Sequence, residues 1–295
     1  MKNIGGQAVI EGVMMKASKG WTVAVRNQKG EIHLKREEIK GVPPFLKLPL
    51  LRGVFALYQA LVIGVKALEF SAKSAYDDES EGSLSPLSIA FSIGIAFLLA
   101  VVFFIFLPLY LTKITGNFIH SVAENSLFFN LLDGVIRVIV FFVYIGSVGL
   151  WREMRRIFEY HGAEHKVIHA YESGRELTID NVRPFSPRHP RCGTSFLLIV
   201  MVMSIIIFAL IPQTWPFSWK FLSRLILIPL IAGLSYEILR STAKRKDNPL
   251  MYLLGLPGLM LQRFTTREPD DSQLEVAIIA LKEVINLEDG NAPEA

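Results

Sequence analysis

The run PLSIAFSIGIAFLLAVVFFIFLPLYL, residues 86–111, contains no charged side chain. It exceeds the roughly 20 residues that a helix needs to cross the hydrocarbon core of a bilayer. A second uncharged run, residues 194–219, does the same. Two further apolar stretches are less clean. Residues 127–150 carry Asp133 and Arg137 in their first half, and residues 221–239 carry Arg224 and Glu237 near their ends. The expected fold is therefore mainly α, a polytopic membrane helical bundle of about four transmembrane helices. Composition agrees, with 51% hydrophobic residues and a positive mean hydropathy. Residues 1–20 have no apolar core and include Lys2, Lys16 and Lys19, so a cleavable signal peptide is not expected and the first span directs insertion.

Lysine and arginine are spread unevenly. Twelve precede the first span, eight lie in residues 151–193 and seven follow from Arg240 onward, whereas the connections 112–126 and 212–220 carry one lysine each. The positive-inside rule then places both termini and the 151–193 loop in the cytoplasm, with the chain in the cell's inner membrane. The net charge of +4 reflects this topology and contact with anionic lipid. No basic patch, stacked-aromatic or finger motif points to nucleic acid. The single cysteine excludes a structural disulfide within the chain and suits a reducing compartment.

Taken in order, residues 1–45 form an N-terminal β-element. Residues 21–27 and 31–36 alternate apolar and polar around Gln28-Lys29-Gly30, which reads as a β-hairpin in a small cytoplasmic cap. This element either packs beneath the bundle or brings Glu11 or Gln7, flanked by glycines, to the site described below. Residues 46–85 contain a helical pattern with a short apolar core, 54–65, flanked by Lys47, Arg52, Lys66 and Lys73, read as an interfacial or re-entrant helix; 77–85 is an acidic, serine-rich linker. In the first helix pair, 86–150, Asp133 and Arg137 are four apart and can pair within their helix, either to fix packing or as part of a polar pathway. The 151–193 loop is rich in histidine, 194–239 holds the second helix pair, and 240–295 is cytoplasmic or interfacial. There Lys244-Arg245-Lys246 is an anchor, and 249–261, interrupted by Gly255, Pro257 and Gly258, dips into the interface. Ser272 and Glu275 begin a last helix with an apolar stripe at Leu274, Ala277, Ile278 and Leu281, and 288–295 is an acidic, disordered end.

Chemistry concentrates in YHGAEHKVIHAYE, residues 160–172. On a helix His161, His165 and His169 share one face, and His161-Gly-Ala-Glu164-His165 fits a pattern in which two histidines bind zinc while the glutamate acts as general base. Further ligands must come from elsewhere. Glu172 lies about 10 Å beyond His165 along the axis and can join only a higher, alternative site. His189 and Cys192, reached by the chain looping back, are better placed, and a helix N-terminus favours the Cys192 thiolate. The expected centre is a divalent metal, zinc by type, on His161, His165, His189 and Cys192, with Glu164 as base for hydrolysis. The substrate would be a lipid-linked molecule, a membrane protein or a cytoplasmic compound brought to the bilayer. Against this stand a polar cap in which the histidines only hydrogen-bond, a Cys192–His pair for acyl transfer, a non-enzymatic membrane scaffold or assembly factor, and a transporter, which the scarcity of charge in the spans disfavours.

Four blocks in order, GGQAVIEGVMM (5–15), YHGAEHK (160–166), HPRCGTSF (189–196) and TTREPDD (265–271), resemble the bacterial YqhQ family of membrane proteins. The family is classed as a domain of unknown function and described as metal-dependent enzymes on sequence grounds. The resemblance implies site roles for His161, Glu164, His165, Glu172, His189 and Cys192, and makes His169 a bystander. It also implies that Glu11 and residues 265–271 converge on the same cytoplasmic site.

Overall fold

In the computed structural model, which describes residues 2, 4–39, 41–76, 86–190, 192–212, 214–244 and 249–290, four strands form an antiparallel sheet in chain order. They are β1 (Gly5–Val9), β2 (Gly12–Lys16), β3 (Gly20–Arg26) and β4 (Ile32–Glu38). Strand alternation sends Trp21, Val23, Val25, Met14 and Val9 to one face and Val13, Met15 and Ala24 to the other. Both faces are covered. The first lies under the second half of α1 (Leu51–Tyr76), through Ile63, Ala67 and Ala75. Over the second lie α6 (Arg152–Glu172) and α12 (Asp271–Asp289), through Tyr160, Ala163, Val167, Leu274, Ala277 and Leu281. The hydroxyl of Thr22, also on that face, donates to the Ala280 carbonyl at 2.8 Å.

The expected hairpin is β3–β4, turning through Gly30 at φ +89°. The β1–β2 hairpin was not anticipated. A strand buried on both sides, as β2 is, loses the alternation by which strands are read.

The helical part begins with α2 (Pro86–Val101), which continues through a π-helical turn at Val102–Phe106 into α3 (Leu107–Phe118). Then come α4 (His120–Glu124), α5 (Ser126–Val148), α6, α7 (Ile179–Val182), α8 (Gly193–Phe208), α9 (Phe217–Ile226), α10 (Ile228–Lys244), α11 (Pro249–Thr265) and α12. Among the described residues three helices are long and apolar enough to cross a membrane, Leu51–Tyr76, Ala90–Phe118 and Ser126–Val148, and the α9–α10 pair makes a fourth if taken as one bent span. Large apolar side chains on α2, such as Phe91 and Phe97, point away from the rest of the chain, as lipid-facing residues do.

Boundaries differ from expectation. The 194–219 run is not one helix: α8 has 16 residues, roughly 24 Å, and stops ahead of Pro212 and Pro216, the latter capping α9. The fourth stretch begins at Phe217 and bends by 45° at Leu227, where Pro229 lacks the N–H that would continue the ladder. Helix α1 is longer than the 54–65 core. It qualifies as a span by length, yet from Gln59 onward it serves the sheet: Gln59 accepts from Lys16 at 2.7 Å and Lys66 pairs with Glu37 at 2.8 Å. Helix α11 runs unbroken through Gly255, Pro257 and Gly258, supported by neighbours: Gly258 lies against Ser195 and Leu261 packs with Phe141 and Met201.

The last helix is capped two residues earlier than read. Asp270 is the N-cap and Gln273 completes the box, each side chain bonding the other's backbone N–H at 2.9 Å, because Asp270 is the residue in extended conformation. Helix α12 also extends through Glu288 and Asp289, with Glu288 accepting from the Lys19 backbone N–H at 2.8 Å, so the first residues of the stretch expected to be disordered are helical. The linker 77–85, the anchor residues Arg245 and Lys246 and residues 291–295 lie outside the described residues.

One polar network runs through the bundle. Asp133 pairs with Arg137 at 2.8 Å, as the spacing predicts, and also with Arg224 of α9 at 3.1 Å. Arg137 donates to Ser204 of α8 at 2.8 Å, and both guanidinium groups stack over Phe208. The network thus ties α5, α8 and α9 together. Removing the shared carboxylate leaves two buried cations uncompensated, so Asp133→Ala is expected to lower stability by about 3–5 kcal/mol. Denaturant titration of the protein in detergent measures it.

Candidate metal centre

Helix α6 presents His161 and His165 on one face, ring centroids 4.4 Å apart. The chain returns through residues 173–190, and Cys192 is the N-cap of α8. One ligand atom from each of His161, His165 and Cys192 lies within 4.8 Å of the others, the set among the described residues that could hold a metal ion.

Both rings are anchored from outside. Nδ1 of His161 donates to the Thr265 carbonyl at 2.8 Å and Nδ1 of His165 donates to the Pro187 carbonyl at 2.7 Å. A carbonyl only accepts, so each imidazole carries a proton on Nδ1, and Nε2 is the nitrogen directed at another partner. Nε2 of His161 is 3.2 Å from Cys192 Sγ; Nε2 of His165 is buried without a hydrogen bond. A tetrahedral zinc with bonds of roughly 2.0–2.3 Å has ligand atoms about 3.5 Å apart, so the donor set fits. Cys192 Sγ also meets the hydroxyl of Thr194 at 3.2 Å and accepts from its backbone N–H at 3.4 Å.

Glu164 stands beside this group, with Oε2 3.4 Å from Nε2 of His165. Burial pushes its carboxyl up to about 7, opposed by the nearby His161 and by the Gly6 backbone N–H that bonds it. Alternation along β1 explains that contact: Gln7 faces Gly64 of α1 and Gly6 faces α6, so close that a Cβ at Gly6 would strike the Glu164 side chain.

The other anticipated residues stand apart from the three. His189 has Nε2 3.5 Å from Glu172 Oε2, its ring 4.4 Å from His169 and 5.9 Å from His165. Its backbone is clamped by Gln262 of α11, whose amide accepts from the His189 N–H and donates to the His189 carbonyl, both at 2.8 Å. His169 bonds the Arg188 carbonyl at 2.9 Å and stacks on Phe185. Glu11, in the β1–β2 turn at φ +50°, does not reach the histidines. Arg156, one turn before Tyr160 on α6, donates to both of its oxygens, and the Tyr160 hydroxyl donates to it at 3.3 Å.

Residues 265–271 do lie along α6. The Thr265 carbonyl holds His161, the Arg267 N–H donates to the Phe158 carbonyl at 2.9 Å, and the Arg267 carbonyl leaves no room for a Cβ at Gly162. Glu268 pairs with the buried Lys166. Sequence reading missed Gly6, Gln262, Thr194 and the two anchoring carbonyls. The Gly5-Gly6 pair and a lone glutamine in an apolar helix were the available signals for the first two.

Comparison with known proteins gives a family but no activity. The family model "Protein of unknown function (DUF1385)" matches residues 48–287. "Uncharacterized protein YqhQ" of Bacillus subtilis (strain 168) is 36% identical over 300 aligned positions, covering 96% of this chain and 92% of its own length. No solved structure matches. With a family match over most of its length and a relative similar almost end to end, the chain belongs to the YqhQ family of proteins of unknown function, DUF1385.

Proposed function

We propose that this protein is a metal-dependent hydrolase of the cytoplasmic membrane, its site on the cytoplasmic face and both termini on the same side. The observation that carries the reading is the convergence of one ligand atom each from His161, His165 and Cys192 within 4.8 Å, with Nδ1 of each imidazole taken up by a backbone carbonyl. Three protein donors leave a fourth position open, the pattern of a catalytic rather than a structural zinc site. A bound ion of this type supplies a Lewis acid and acidifies a water. Glu164, held by the Gly6 N–H and directed at His165, is placed to take a proton from an attacking water and return it to the leaving group. The sidedness rests on the excess of lysine and arginine in residues 1–85, 151–193 and 240–295. A site beside apolar helices suits a lipid-linked or membrane-embedded substrate.

Purified protein is expected to carry close to one zinc per chain by elemental analysis, and a His161→Ala/His165→Ala variant almost none. Wild-type protein prepared under zinc-retaining conditions with markedly sub-stoichiometric metal would rule the centre out. Glu164→Gln should keep both metal and melting temperature while abolishing complementation of a strain lacking the gene. Full complementation by that variant would instead mean that the protein works as a membrane scaffold.

A further inference from the structure

Where the bundle meets the sheet, residues 42–52 and helices α1 and α10 line an open cavity of about 360 Å³. Its lining includes Lys47, Arg52, Phe55, Gln59, Tyr236 and Arg240. Three cations thus face it. The carboxylate against them is Glu237, which accepts from Arg52 Nε at 2.7 Å and also from the Leu50 backbone N–H. Lys16 reaches the same wall, bonding Gln59 from the sheet side. The cavity is therefore electropositive, while Phe55, Leu46 and Val42 give it an apolar wall.

Its rim is unusual for a free protein surface. Phe45 is 62% exposed and Leu48 is 55% exposed, both beside Lys47. Leu50 sits at φ +67°, a conformation leucine ordinarily avoids, with its backbone pressed against Gly233 of α10. Beyond the rim Tyr58 and Leu61 continue an exposed apolar face along α1. Cations at the level where apolar helices give way to a polar cap, with apolar side chains open beside them, complement an amphiphile that has a negative head.

We infer that this cavity binds the head-group phosphate of an anionic phospholipid, with the acyl chains against Phe45, Leu48 and the apolar wall. A free phosphate would leave Phe45, Leu48 and the apolar wall without a partner. The inference does not depend on the metal centre, and neither result decides the other.

The test is binding of fluorescent phosphatidylglycerol in mixed micelles to purified full-length protein. Compared with wild type, Lys47→Ala/Arg240→Ala should bind about thirtyfold more weakly, the factor contributed by two head-group charges of ordinary strength. Lys47→Glu, at an exposed position, tests the site without touching the packing. It should bind at least about tenfold more weakly. Arg155→Ala/Arg183→Ala removes the same charge from exposed positions elsewhere and should leave binding unchanged. Phosphatidylcholine should bind weakly to all. Equal affinity of wild type and Lys47→Glu, or an equal loss in the Arg155/Arg183 control, overturns the assignment. Displacement of the lipid by equimolar inorganic phosphate overturns it in favour of free phosphate.

Discussion

Glu164, His165 and Lys166 are consecutive residues of α6, and only 4%, 2% and 2% of their surfaces are exposed. Burying three polar side chains in a row is unfavourable unless each finds a partner, and here the partners come from three separate parts of the chain. The Gly6 N–H of β1 serves Glu164, the Pro187 carbonyl serves His165, and the Arg183 carbonyl with Glu268 serves Lys166. The sheet, the 173–190 return and the segment after α11 must therefore all be in place around α6. The same placement brings Cys192 to the two histidines. What stabilises the helix and what assembles the candidate centre are one set of contacts.

Much of the fold was legible because long apolar runs admit few solutions. Residues 86–111 read as a span and are part of a continuous apolar helix. What composition could not reveal was where helices stop within a run. Thr194 to Phe208 and Phe217 onward look alike residue by residue, and the break between them is set by Pro212 and Pro216 together with packing of Phe208 on Ile211 and Ile231. Gly255, Pro257 and Gly258 misled in the opposite direction, since neighbouring helices support α11 through them. The β1–β2 hairpin was hidden for a third reason: with α1 on one face and α6 on the other, β2 has no polar side to reveal it.

The candidate centre was legible in its side chains and illegible in its main chain. His161, His165, Glu164 and Cys192 announce themselves by type and spacing. The carbonyls of Thr265 and Pro187, which take up Nδ1 of each imidazole, belong to residues whose identity says nothing about that task. Glu11 shows the converse. Its charge made it conspicuous, but Arg156, at the matching turn of α6, takes it up first.

Helix α11 joins these parts mechanically. Leu261 is packed in the bundle against Phe141 and Met201, while Gln262, the next residue, grips the backbone of His189, and Thr265, one turn on, holds the ring of His161. A rigid helix with a rise of 1.5 Å per residue transmits any displacement of Leu261 almost undiminished to those two grips. The geometry of the cluster is therefore tied to the packing of α5, α8 and α11. A substitution inside the bundle that moves Leu261 also moves the contacts that hold His161 and His189, so the candidate centre is sensitive to packing at positions that never touch it.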